Sequence, residues 1–284
     1  FGVVPVLGKE RMYSLFDTIF VAGSYAIATW CYFQGASLAY QMSMVQALMS
    51  TFGVCLSFII LICLIGVMSS KYGIDHWLLS RAVWGEVGTY IVLVAAMFST
   101  WGWGAINAQM FGESLVKLLA SAGADVSSGW WVKGLGILCV VLGLLVAMRG
   151  AGAVRVATRI MGYLLVAIAI GVVVLIAISP DLGAAWRQGP LAEVEPGQER
   201  AAYMLGTEWN VAFVLSWFPV IGALTRLVKG QRQAHWGLWV GDGFMLAAHG
   251  HLGGAARRRQ RGRAPTRHSA PPTAPRAPAP GPRT

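Results

Sequence analysis

Six apolar runs dominate this chain, each close to the roughly 20 residues that a helix needs to cross a bilayer. They cover residues 15–35, 45–69, 87–119, 131–148, 154–179 and 209–228, and a seventh runs from 235 to 248. Backbone groups in hydrocarbon have no water to bond, so runs of this kind close their hydrogen bonds internally as helices. The prediction is an all-α polytopic membrane protein, with a transmembrane region over 1–248 of about seven helices. The balance of residues agrees: 56% are hydrophobic, 12% are charged and the mean hydropathy is +0.60, outside the range of soluble domains.

Charge sets the orientation. With the N-terminus in the cytoplasm, the inner connections hold Lys9 and Arg11, then Lys71 and Arg81, then Arg149, Arg155 and Arg159, then Arg226, Lys229 and Arg232. The outer connections are poor in cations: 36–44 has none, and 181–200 leans acidic. This is the positive-inside pattern, and it predicts a multi-pass protein of the cell membrane. Lys9, Glu10 and Arg11 precede the first run and no small-residue cleavage site follows it, so no signal peptide is expected. The chain opens on Phe1 rather than Met, which suggests a fragment at that end.

The net charge of +10 does not mark a nucleic-acid binder. Residues 249–284 hold eight arginines with no Lys, Asp or Glu, leaving +2 for the rest. That segment also holds seven of the twelve prolines and few large apolar side chains, so it is expected to be a disordered tail. After an odd seventh span it lies outside, against the charge rule. A basic extension, an incomplete seventh span or a change of reading frame accounts for this, and the abrupt shift in composition favours the last.

The stretch 97–112 is the oddest part of any run. It carries Trp101, Trp103, Asn107 and three glycines where Leu, Ile and Val suffice to face lipid. Trp103 and Asn107, at i and i+4, put an aromatic face and an amide on one side of a helix. An unpaired amide in hydrocarbon is costly, so the pair is expected to face protein or a cavity. Asn107 has two readings, a solute contact or a helix–helix hydrogen bond. Two runs also carry signs of interruption. The first has Gly23 and Ser24 followed by small residues, and the sixth has Pro219 well inside it. Broken helices at corresponding places in two repeats point to a transporter site near the midplane.

These residues resemble the nucleobase:cation symporter-1 family, the cytosine, purine, allantoin and hydantoin permeases, over roughly 9–241. The resemblance rests on Lys71, Tyr72, Gly73 and Ile74 with Leu79, Ser80 and Arg81; on Trp-Gly in the third run; and on Leu215 to Pro219 with Leu224, Thr225 and Arg226. It implies a fold of five plus five helices in inverted repeats, of which this chain holds the first repeat, the sixth helix and part of the seventh. It implies that substrate stacks between Trp103 and an aromatic of the sixth helix, Phe213 with Trp217 as competitor, while Asn107 and Ser216 bond it. Phe213 facing lipid and Ser216 bonding only freed backbone remain the plain alternatives. Ala26 and Thr29 are expected to give half of a cation site, whose other half belongs to an eighth helix that this chain lacks. Ala223 departs from the family pattern, where many members carry an acidic residue.

The function so implied is a secondary active transporter, a symporter importing a nucleobase or related heterocycle such as cytosine with Na⁺ or H⁺. The alternative is a truncated membrane fragment that does not transport. No catalytic cluster or metal-ligand motif is present, and the four cysteines lie in apolar runs without paired spacing. No enzyme activity, cofactor or nucleic-acid partner is expected; the partners are the bilayer and a small heterocycle. Glu113 and Lys117 are expected to pair at i and i+4.

Overall fold

The computed structural model describes residues 4–26, 29–178 and 182–263. In chain order the helices are α1 (Leu15–Ala26), α2 (Thr29–Gln41), α3 (Met44–Tyr72), the short α4 (His76–Leu79), α5 (Arg81–Ser121), α6 (Trp130–Met148) and α7 (Ala151–Ala177). There follow the short α8 (Leu182–Arg187), α9 (Glu199–Leu215), α10 (Phe218–Thr225), α11 (Gln231–Leu238), a π-helical turn (Trp239–Phe244) and α12 (Met245–Arg263). Among the described residues there is no strand, only an isolated bridge between Tyr13 and Val228. The protein is all-α. Five spans are long and apolar enough to cross a membrane: α3, α5, α6, α7 and Glu199–Thr225.

The first expected span is described as α1 and α2 on either side of residues 27 and 28, and α2 runs on to Gln41. The sixth starts about three turns earlier than its hydropathy implies, because α9 begins at Glu199 with good helix formers that are too polar to register as membrane. It is then interrupted at Ser216 and Trp217. Pro219 opens α10 in its first turn, where the missing N–H removes no intrahelical bond.

The seventh helix corrects the expected tail boundary at 249. α12 continues to Arg263, carried by the helix-forming Ala, Arg and Gln residues that follow the glycines. Its packing partner is α2. A side chain on Gly35 would collide with the Gly250 carbonyl, and one on Gly253 with the Tyr32 carbonyl, so the two backbones touch where only glycine fits. The expected tail beyond 263 lies outside the described residues.

The buried core runs between α1, α3 and the sixth and seventh helices, through Val21, Cys55, Ile59, Ile62, Cys63, Phe213, Ile221 and Leu238. Three of the four cysteines, Cys31, Cys55 and Cys63, are buried side chains. α5, α6 and α7 turn many large apolar side chains outward, as lipid-facing helices do. α3 is bounded by a capping box of Ser43 and Gln46 and by Gly73 in the left-handed region, φ 71°.

One end of the bundle gathers the cations. Tyr13 N–H donates to Leu227 O at 3.0 Å and Lys229 N–H to Tyr13 O at 3.0 Å, tying the N-terminal strap to the end of the sixth helix. The Tyr13 hydroxyl donates to Ala151 O at 3.2 Å, and burial pushes this phenol up to about 12. Beside it, Arg155 Nε donates to Asp17 Oδ1 at 2.8 Å, and Arg159 closes on the same oxygen. Arg155 and Arg159 were expected as inner-face anchors. Their buried partner Asp17 was not foreseen.

Candidate functional site

The start of α2 and the break in the sixth helix both border α5. On α5, Thr100, Trp103 and Asn107 lie at i, i+3 and i+7, along one stripe of the helix. Trp30, in the first turn of α2, sets its ring edge-on to Trp103 with centroids 4.9 Å apart. From the sixth helix come Phe213 and Ser216, Trp217 at the break, and Pro219 and Val220 beyond it. These nine residues line one cavity of about 80 Å³. At roughly 10–15 Å³ of such space per water, it holds several waters, which suits one small ring.

The five residues picked from sequence as substrate contacts, Trp103, Asn107, Phe213, Ser216 and Trp217, all line this cavity. Phe213 is buried, not turned to lipid. Its ring lies 6.5 Å from that of Trp217, at 62°. The Trp217 ring also lies nearly parallel to that of Tyr25, with centroids 5.7 Å apart. α1 and the break in the sixth helix are therefore joined through aromatic rings beside the cavity.

Polar capacity at the site follows from the breaks. Trp217 N–H bonds Val214 O at 3.3 Å rather than continuing the α-helical ladder. Ser216 Oγ donates to Phe213 O at 2.6 Å, so the serine satisfies backbone freed at the break. Asn107 Nδ2 donates to Trp103 O at 2.9 Å within its own helix; it makes no helix–helix bond, and its Oδ1 is left as an acceptor. The indole N–H groups of Trp30 and Trp217 are buried without a partner. The cavity thus offers aromatic planes and one amide acceptor to a flat solute.

Two of the glycines in 97–112, Gly102 and Gly104, have open space around them. The third, Gly112, meets the Val132 backbone and lets α6 approach α5. Glu113 takes its hydrogen bond from Gln109 Nε2 at 2.9 Å, one turn back, and makes no ion pair with Lys117. A flexible surface lysine gains little from such a pair against water.

The expected cation half-site, Ala26 and Thr29, flanks residues 27 and 28. Ala26 closes α1 fully buried. Residues 27 and 28 and the side chain of Thr29 lie outside the described residues. Groupings of His, Cys, Asp and Glu that would hold a metal are absent among the described residues.

Sequence reasoning missed Trp30, because nothing marks one tryptophan of twelve as facing another span. It also missed two buried polar residues. Asn210 donates to Ser50 Oγ at 3.0 Å and stands 3.4 Å from Thr51 Oγ1, gluing α9 to α3. Asp242 sits on the π-helical turn with 1% exposure. The available signal was the same for both: a polar residue inside an apolar run.

At the positively charged end, α4 holds the sixth helix. Trp77 Nε1 donates to Pro219 O at 3.2 Å, and His76 Nδ1 lies 2.9 Å from Asp75 Oδ1. Burial works to raise the Asp75 carboxyl. The bond from His76, the Trp77 N–H and the Arg226 guanidinium outweigh it and hold the group below its ordinary value.

No family model, curated protein or solved structure matches this chain.

Proposed function

We propose that the chain belongs to a secondary active transporter that imports a nucleobase or related heterocycle with Na⁺ or H⁺. It works by alternating access in the cell membrane, with the N-terminus in the cytoplasm. The interruption expected in the first span and the break between α9 and α10 are the corresponding discontinuities of two inverted repeats. The orientation follows from the cations gathered at one end. The site reads its substrate as an aromatic heterocycle, stacked on Trp103 and Phe213 and bonded by Asn107.

One observation carries the reading. Five positions chosen for an aromatic-stacking site, on spans more than a hundred residues apart in sequence, line a single cavity. Stacking contributes about 1–3 kcal/mol per base, or roughly 5- to 150-fold in affinity.

The test is uptake of labelled cytosine, purines, allantoin and hydantoins into vesicles containing the chain, with and without a sodium or proton gradient. Trp103→Ala is expected to abolish uptake and leave membrane insertion intact. Unchanged uptake of every compound by that variant removes the assignment. A second reading, a membrane-embedded chain that does not transport by itself, is favoured by the exposure of Thr100 and Asn107, which leaves the α5 side of the cavity open. Its signature is binding of a heterocycle without uptake.

A further inference from the structure

Asp242 is the one carboxylate among the described residues that is fully buried with neither of its oxygens partnered. It is 1% exposed, on the π-helical turn in the middle of the seventh helix. Asp17, equally buried, is in contrast held by Arg155, Arg159 and the hydroxyl of Ser14. The ion pairs of the described residues engage Asp17 and Asp75 and leave Asp242 out.

The π turn packs against α1, α3, α11 and α12, and no cation is paired with Asp242. Tyr25 of α1 and Cys55 and Cys63 of α3 lie within electrostatic reach of it. On α11, the His235 carbonyl accepts a contact from Cys63 Sγ at 3.5 Å. On α12, His249 has Nδ1 2.7 Å from Met245 O and its ring edge-on to Tyr32. A carboxylate held this far from water without counter-ion or donor is costly as an anion. A hard metal cation would need about six oxygen ligands gathered around the carboxylate. A bound proton removes the charge with no further ligand.

We propose that Asp242 is a proton-binding site in the membrane interior, carrying one proton per cycle of the transporter proposed above. The carboxylate takes a proton from water on one side, is occluded as the neutral acid, and returns to carboxylate when it gives that proton to water on the other side. No other bond changes. The geometry provides the coupling: Asp242 sits on the π turn packed against α1, whose Tyr25 lies against Trp217, which lines the cavity. The seam that must open is lined by small residues. A side-chain carbon on Gly241 would come within 2.6 Å of Ile19 O, and one on Gly23 within 3.4 Å of Gly241 O, so α1 and the π turn meet backbone to backbone. π turns of this kind recur at functional positions in helices.

The inference rests on the transporter reading for its cycle but not for its site, and two measurements separate them. Infrared difference spectra of the full chain in lipid, between acidic and alkaline buffer, report protonated carboxyl groups directly. The expected result is a buried carboxylic-acid band that is lost in Asp242→Asn and shifted in Asp242→Glu, with circular dichroism confirming that both variants fold. Absence of any acid band dependent on Asp242 overturns the proposal. In vesicles, uptake of the best-bound compound of the panel is expected to follow an inward proton gradient and to fall to the level of empty vesicles in Asp242→Asn. Binding, read by tryptophan fluorescence, persists in that variant. Sodium-driven uptake indifferent to Asp242→Asn overturns the proton role and leaves the transporter reading standing. An Asp242-dependent acid band without uptake of any compound does the reverse.

Discussion

The ring of Tyr25 lies against the ring of Trp217 with centroids 5.7 Å apart and planes 14° apart. Tyr25 is the penultimate residue of α1, and Trp217 stands between α9 and α10. This contact joins α1 to the break in the sixth helix beside the cavity, so that break cannot open without disturbing α1. A parallel aromatic pair contributes about 0.5–1.5 kcal/mol beyond its burial. Tyr25→Leu is expected to weaken heterocycle binding about 2- to 10-fold, because Trp217 loses the plane behind it. Tyr25→Phe keeps the ring and is expected to bind as the native chain does. Fluorescence titration of both variants checks this; equal losses would point to the hydroxyl instead of the stack.

Asp17 anchors α1 to α7 through two arginines, and its removal leaves both without a counter-charge. The arginine side chains are 33% and 42% exposed, so water screens part of the cost. Asp17→Asn is expected to destabilise the chain by about 1–3 kcal/mol, read as a lower unfolding midpoint in detergent. Combined with Arg155→Gln the loss is expected to be less than the sum of the two singles, since both remove the same bond.

Much of the membrane organisation was legible because its cause is local. Apolar runs of bilayer length have to be helices, and Pro219 has to disturb one, whatever surrounds them. The cavity residues on α5 were legible for a similar reason: Trp103 and Asn107 serve no purpose toward lipid. The seventh helix was misread at 249 because hydropathy ends there, whereas the helix continues through glycine contact with α2, which depends on where Gly35 lies in space. Trp30, Asp17 and Asp242 share that limit. Each is defined by a partner, or by the lack of one, on a different helix.

The glycine seam between α2 and α12 makes a prediction of opposite signs. A methyl group on Gly35 would strike the Gly250 carbonyl and come within 3.0 Å of the Gly254 nitrogen, so the helices have to part. Gly35→Ala is expected to cost about 1–3 kcal/mol, as overpacking does. Gly53, within α3, has nothing within 4 Å of the same position. Gly53→Ala is expected to stabilise by roughly 0.5–1 kcal/mol through backbone entropy alone. Thermal unfolding of the two variants in the same detergent is expected to move the midpoint in opposite directions; a shared direction would place the α2–α12 contact elsewhere.

Asp75 gives the protein an acid-sensitive joint. Its side chain accepts from Trp77 N–H at 3.3 Å at the start of α4, the helix that reaches the Pro219 carbonyl. Its folded value is depressed below the ordinary 3.8. The carboxylate therefore contributes stability that is fully present above that value and is lost as pH falls through the lower folded one. Asp75→Asn is expected to lower the unfolding midpoint near neutral pH by an amount that stays constant down to the ordinary carboxylate value. Below it the gap between native chain and variant narrows, because the native side chain becomes neutral too. Unfolding midpoints measured along a descending pH series test this. A gap that stays unchanged through the most acidic point would mean that Asp75 acts by shape and not by charge.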